Sequence, residues 1–326
     1  MDEKENKISD EFETLADIGE YRTIADTEDC LMIRLENETG EGDMIIYRVF
    51  DGIYLMYNDF HIAYYNSDYQ AMKTMLAIDY CREGSLTMES DNGLCQIKKT
   101  GNICIDSRRH HAGTVSFPGR HFHGITVGFE EKTAQQSLDK NFPCIPLNIT
   151  EVRDKFCGED GFFIIKAEET LKRIFTELYH VPESIRNDYF RLKVVELMLC
   201  LSVIEPKNVT EDKAYFYKDQ IEKAGAVMRL ITEDLRAGYS IAELAQRFDI
   251  SESALKSCFK NLYGEPIYTW LKNYRIQKAA EMLISERDKS IGDIAFEVGY
   301  ESPSKFSAAF KSICKMTPKV YRNQPH

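Results

Sequence analysis

Between residues 43 and 130 apolar and polar positions come in short runs. Segments 44–50, 53–57, 75–80, 94–98 and 124–129 are rich in β-branched and aromatic residues and are punctuated by Gly, Asn and Asp. That pattern predicts strands, and several in succession predict a sandwich or barrel. After residue 165 the period changes. Leu171, Ile174, Phe175 and Leu178 recur at helical spacing within 166–179. Ile185, Tyr189, Leu192, Val195, Leu199 and Val203 do the same within 185–204. Two helices are expected there. Pro206 closes the second, and the polar stretch 205–214 reads as a linker. Residues 1–39 are polar and acidic with little periodicity, and read as a flexible or loosely docked arm.

The region after 214 contains a repeat. SIAELAQRFDISESALKSCFKNLYG (240–264) aligns with SIGDIAFEVGYESPSKFSAAFKSICK (290–315) at an offset of 50, becoming 51 after one inserted residue. Ser240/Ser290, Ile241/Ile291, Glu243/Asp293 and Ala245/Ala295 match first, then Ser251/Ser302, Ser253/Ser304, Phe259/Phe310 and Lys260/Lys311. A fixed offset implies a duplicated unit. Each copy reads as helix, turn, helix, over 241–262 and 291–314. Ser240 and Ser290 suit the N-cap of a first helix, with an acidic residue three positions on. Gly299 suits a left-handed turn. Ser251 and Ser302 suit the N-cap of a second helix, with Pro303 at its first position.

In each second helix one face is apolar: Leu255, Cys258, Phe259 and Leu262, or Phe306, Ala309, Phe310 and Ile313. The opposite face holds Glu252, Ser253, Lys256, Ser257 and Lys260, or Ser304, Lys305, Ser307, Ala308 and Lys311. Small polar and basic side chains on an exposed helix suit the major groove of DNA. Residues 218–323, and above all IGDIAFEVGYESPSKFSAAFKSICKMTPKVYR, resemble the DNA-binding domain of AraC/XylS-type transcription regulators. In that resemblance 267–285 corresponds to the linker helix, with Trp270, Leu271, Arg275, Ala279 and Leu283 in the expected positions. Lys315 departs from it, standing where the family usually has glycine. The resemblance implies an N-terminal sensing or dimerisation domain, often a cupin-like barrel followed by helices.

Charge sharpens this division. The chain has 326 residues and a net charge of −12. Yet 215–326 carries 17 Lys+Arg against 14 Asp+Glu, while 1–214 carries 24 against 39. Such asymmetry fits a nucleic-acid-binding part joined to an acidic one. Nine scattered cysteines, an odd number without a C-x-x-C pair, read as reduced and mostly buried thiols. An acidic start and the lack of a long apolar run point to a cytoplasmic protein.

The main chemical oddity is His110, His111, His121 and His123, four of seven histidines within 14 residues. His121 and His123 would share one face of a strand, as metal ligands do in enzymatic cupins, and Glu130 or Glu131 could join them around Zn, Fe or Ni. The preferred reading is packed or surface histidines, with no metal and no cofactor. Neither a nucleophile–base pattern nor a phosphate-cradling glycine loop nor a dinucleotide fingerprint is present, so no enzymatic activity is expected.

The expected fold is therefore α+β. A β-rich cupin-like sensing domain (40–204) carries a helical dimerisation pair at 166–204. A linker (205–214) leads to an all-α DNA-binding domain (215–326) with two helix-turn-helix units and a linker helix. The expected function is that of a sequence-specific transcription regulator. Its partners would be double-stranded DNA, a small-molecule effector, a second copy of the chain and RNA polymerase, with no membrane. The alternative is a cupin-type metal sensor or metalloenzyme domain fused to a DNA-binding module.

Overall fold

The computed structural model describes residue 8 and residues 21–67, 74–89, 93–108, 113–158, 161–212 and 214–324. The chain divides into two units, Met1–Phe216 and Tyr217–His326.

The first unit is a curled antiparallel sheet backed by helices. Its strands are β1 (Tyr21–Asp26), β2 (Cys30–Asn37), β3 (Gly40–Phe50), β4 (Ile53–His61), β5 (Tyr64–Ser67), β6 (Met75–Glu89), β7 (Leu94–Lys99), β8 (Asn102–Asp106), β9 (Gly113–Ser116) and β10 (Phe122–Glu130). Helices α1 (Glu131–Asn141) and α2 (Ile149–Cys157) follow, then β11 (Phe162–Lys166), α3 (Glu169–Leu178) and α4 (Arg186–Val203). The main path runs β1-β2-β3-β4-β10-β6-β7, with β8, β9, β5 and β11 attached to it. β6 curls the sheet by serving two sets of partners. Its first part pairs with β10 and β8, its second with β7 and β9. The change falls at Gly84, where φ is +80° and an added Cβ would lie 2.0 Å from the carbonyl oxygen of His121.

Alternation sends the two faces of β10 to different environments. Ile125, Val127 and Phe129 pack with Phe175, Phe190, Val194 and Met198 under α1–α4. Phe122 instead packs with Phe60, Phe117 and Leu35 on the concave side. A polar tie crosses the helical layer: the Tyr57 hydroxyl donates to the carbonyl of Leu178 at 2.6 Å.

Three expectations need correction here. Residues 21–37 are not a loose arm: they form β1 and β2, and Leu31, Ile33 and Leu35 are buried. Their period-two stripe is interleaved with polar residues and stands in an acidic context that masks it. Nor is 205–214 a free linker throughout. Glu211 bridges to Ile165, the Asp212 N–H donates to the Ile164 carbonyl, and the Ile97 N–H donates to the Ala214 carbonyl. Lys99 Nζ and Asn102 Nδ2 both donate to the Asp212 carboxylate at 2.9 Å. The backbone of Glu211, Asp212 and Ala214 is thus held by the sheet. The helix expected at 166–179 also starts later, because Lys166 ends β11.

The second unit is helical: α5 (Lys218–Glu233), α6 (Ile241–Arg247), α7 (Glu252–Tyr263), α8 (Ile267–Ser285), α9 (Ile291–Glu297), α10 (Pro303–Cys314) and α11 (Pro318–Arg322). Its first half buries Ala224, Val227, Leu244, Leu255, Phe259 and Leu262. Its second half forms a cluster of Ile276, Ala279, Leu283, Ile294, Val298, Phe306 and Phe310. α8 supplies side chains to the second cluster and buries Ile267 and Leu271 nearer its start. No helix among the described residues is long and apolar enough to cross a membrane.

Candidate DNA-binding face and ligand cavity

The two repeats fold alike. Ser240 Oγ accepts from the Glu243 N–H at 3.2 Å, while the Glu243 carboxylate accepts from the Ser240 N–H at 2.7 Å, closing a capping box. Ser290 Oγ accepts from the Asp293 N–H at 3.0 Å. Ser251 and Ser302 cap α7 and α10, accepting from the N–H groups of Ala254 and Lys305. Equivalent backbone bonds close the turns: Ile250 N–H to Ala245 at 3.0 Å, and Tyr300 N–H to Ala295 at 2.8 Å. Each turn contains a left-handed residue, Asp249 at φ 49° and Gly299 at φ 87°. So does each C-cap: Gly264 at φ 82° after α7, and Lys315 at φ 61° after α10.

The inward faces of α7 and α10 are buried through Leu255, Cys258, Phe259, Leu262, Phe306 and Phe310, while Ala309 and Ile313 are half-buried. Outward, Glu252, Ser253, Lys256, Ser257 and Lys260 are exposed on α7. Ser304, Lys305, Ala308 and Lys311 are exposed on α10, with Ser307 half-buried. The two faces differ in charge. Lys256 Nζ is held by Glu252 Oε2 at 2.9 Å, whereas α10 has no acidic residue and its Lys305 and Lys311 have no carboxylate partner among the described residues.

The two repeats are locked at one point. Arg275, midway along α8, donates from Nη2 to the carbonyl of Leu235, which lies between α5 and α6. The Gly299 turn packs against the same carbonyl.

The first unit holds a cavity of about 160 Å³ on the concave side of its sheet. Met44, Met56, Phe60, Leu86, Phe117 and Phe122 line its apolar part. At the polar part Asp79 accepts from Arg108 Nη2 at 2.5 Å, from Lys98 Nζ at 2.9 Å and from Thr126 Oγ1 at 2.8 Å. Asp106 lies 3.3 Å from Arg108 Nη1 and 3.6 Å from Lys98 Nζ. Burial works to raise the Asp79 carboxyl, but the Arg108 guanidinium and the Lys98 ammonium outweigh it and hold it well below the usual carboxylate range. Burial also pushes the neighbouring Cys104 thiol up to about 12, so it stays protonated. Two cations and two carboxylates thus balance inside the sheet. Sequence reading missed this cluster; its one signal is charge at inward positions of strands that otherwise read as apolar.

The histidines lie on another surface. His121 and His123 flank Phe122 on the convex face, not in the cavity, and His61 of the adjacent strand joins them. Glu131 does not contribute; it pairs with Arg153 at 2.5 Å. Glu130 closes the opposite end of β10 from His123. His110 and His111 lie outside the described residues.

Residues 244–324 match a helix-turn-helix domain family. The chain is similar to the HTH-type transcriptional activator RhaR of Yersinia pestis, at 26% identity over 144 residues, covering 44% of this chain and 49% of that protein. It is similar to an AraC-like transcription regulator of Streptomyces lividans, at 36% identity over 92 residues, covering 28% of this chain and 30% of that one. The solved C-terminal domain of AraT, a response regulator from Geobacillus stearothermophilus, is 27% identical, covers 32% of this chain and 83% of its own, and superposes with a TM-score of 0.29. The chain spans about half the length of the RhaR relative and about a third of the Streptomyces lividans regulator.

Proposed function

We propose that this chain, whose C-terminal domain is of the AraC helix-turn-helix type, is a sequence-specific DNA-binding transcription regulator. One observation carries the reading: two copies of one unit each expose a capped helix of small polar and basic residues, and a single helix joins them. The two reading helices would enter successive major grooves, about 34 Å apart. α8, with 19 residues, spans roughly 28 Å at about 1.5 Å per residue, a length that suits that separation. Ser253, Lys256, Ser257, Ser304, Lys305 and Ser307 would reach base edges, with Ala308 able to meet a thymine methyl and Glu252 a cytosine amino group. Lys260 and Lys311, farther along each helix, would neutralise phosphates.

Effector response would arise in the concave cavity, whose apolar wall and balanced polar end suit a small molecule with an apolar body and a hydrogen-bonding head. Self-association would use α4. Its buried face packs in the core, but Leu192 is 65% exposed and Val203 77%. Ile185, Leu192 and Leu199 are spaced by seven and all exposed, the spacing that lets two helices pair along one seam. The expected occupant is a second copy of α4.

Selection of the full chain on randomised duplex DNA tests the central claim. The expected result is a bipartite motif with half-sites about 10 base pairs apart. Recovery of unselected sequence, at an affinity set by salt alone, would overturn it.

A further inference from the structure

We propose that His61, His121 and His123 form a binding site for a divalent transition-metal ion on the convex face of the sheet, separate from the cavity. Register assembles the group. His123 stands opposite Asp59 on β4 and opposite Glu83 on β6. Phe122 pairs with Phe60, so one further step along the antiparallel ladder sets His121 beside His61. Asp59, His61, His121 and His123 share a face because they alternate with the inward Phe60 and Phe122, and Glu83 joins that face as the cross-strand partner of His123. One nitrogen from each imidazole lies within 4.8 Å of the other two.

The hydrogen bonds orient the rings as ligands. His61 Nε2 lies 3.0 Å from Asp59 Oδ1, and His121 Nε2 lies 3.4 Å from Glu83 Oε2. A carboxylate on one imidazole nitrogen draws the proton there and leaves the other nitrogen as a lone-pair donor, the arrangement found behind metal-bound histidines. Those other nitrogens, the two Nδ1 atoms, face each other at 3.5 Å. Two lone pairs at that distance repel unless a proton or a metal cation stands between them. Nitrogens bound to one ion at about 2.1 Å in tetrahedral geometry sit about 3.4 Å apart, so this pair is already at ligand spacing. His123 supplies the third ring. Its Nε2 lies 2.5 Å from Asp59 Oδ1, the oxygen that also faces His61, so the same carboxylate orients both rings. Three imidazoles suit Zn, Cu, Ni or Co rather than Mg or Ca. His61 and His121 are 56% and 37% exposed as side chains, which gives an ion a path from solvent and leaves a position open for water.

Such an ion would pin β4 to β10 at the point where Phe60 and Phe122 turn into the cavity. The site therefore offers a second input to the same sheet, independent of whether the chain reads DNA.

The test is titration of the full chain with Co2+ followed by visible spectroscopy, with Zn2+ as competitor. The expected result is one equivalent bound, displaced by Zn2+, without a thiolate-to-cobalt charge-transfer band. Binding should weaken at least tenfold in His61→Gln, His121→Gln and His123→Gln, and be unchanged in Cys144→Ser, which removes the exposed thiol. Circular dichroism checks that each variant is folded, and any one folded histidine variant suffices for the comparison. Absence of stoichiometric binding, a thiolate band, or wild-type affinity in a folded histidine variant would overturn the site.

Discussion

Replacing Gly299 by alanine should loosen the second unit more than the same change at Gly225, Gly238, Gly264 or Gly292. The residue sits at φ 87°, and a Cβ there would stand 2.1 Å from the Leu235 carbonyl oxygen and 3.0 Å from the Arg275 guanidinium. Neither neighbour yields cheaply. The Leu235 oxygen is backbone and already accepts from Arg275 Nη2, and Arg275 is itself half-buried. The left-handed conformation costs an L-residue about 1–2 kcal/mol, and forcing packed groups apart costs about 1–3 kcal/mol. Together these give a loss of about 2–5 kcal/mol, against a total domain stability of about 5–15 kcal/mol. Because the contact joins the turn of one repeat, the loop before the other and the middle of α8, DNA affinity should fall as well. The assay is built into the chain. Trp270, its single tryptophan, stacks on Tyr274 within α8, so its fluorescence reports unfolding of the C-terminal unit in the full-length protein. With a urea slope of about 1–3 kcal/mol/M, the midpoint should drop by on the order of 1–2 M. Gly238→Ala is the control, since nothing lies within 4 Å of its added Cβ. A Gly299→Ala variant within about 0.5 kcal/mol of the parent, a range ordinary for surface changes, and with unchanged DNA affinity would refute the argument.

Lys315→Gly should move the same fluorescence midpoint the other way, by up to about 1 kcal/mol, because it removes a left-handed lysine at φ 61° at the expense of a more flexible unfolded chain. Leu192→Glu should give monomers by light scattering; a folded variant that stays dimeric would exclude the α4 seam. Lys311→Ala should lower the salt slope of DNA binding by about one without changing sequence preference, whereas Lys305→Ala should relax preference at one position at a cost of about 1–3 kcal/mol. Asp79→Asn should destabilise the first unit by about 3–5 kcal/mol at neutral pH, because Lys98 and Arg108 lose a buried counter-charge. The folded carboxyl is depressed, so its stabilisation is complete above the unfolded value of about 4 and is lost as pH falls below it. The deficit of the variant should therefore shrink in acid melts.

The helical unit was legible because its instructions are local. Caps such as Ser240 with Glu243, the Pro303 start and the Gly299 turn act within four residues, and duplication states them twice. The sheet was less so. Its strongest strands could be read from β-branched runs, but β2 lies in an acidic setting, and α1 buries only Ala134, Ser137 and Leu138, too few for a visible stripe. The histidine group depended on His61, which lies 60 residues from His121 and reaches it only through strand pairing. The cavity cluster was hidden for the same reason. Asp79, Lys98 and Arg108 come from separate parts of the chain, and a lone charge in a strand reads as solvent-facing until its partners are placed beside it.

The intrahelical pair on α7 has a kinetic meaning if both helices read DNA. Lys256 already has Glu252 as a counter-ion, so a phosphate or base edge must displace a carboxylate to engage it. On α10, Lys305 and Lys311 have no carboxylate partner among the described residues and can grip any stretch of duplex on arrival. Sliding would then be led by the second repeat, while the first commits only where the bases compensate for parting Lys256 from Glu252. One duplicated unit would thus divide into a half that searches and a half that vetoes.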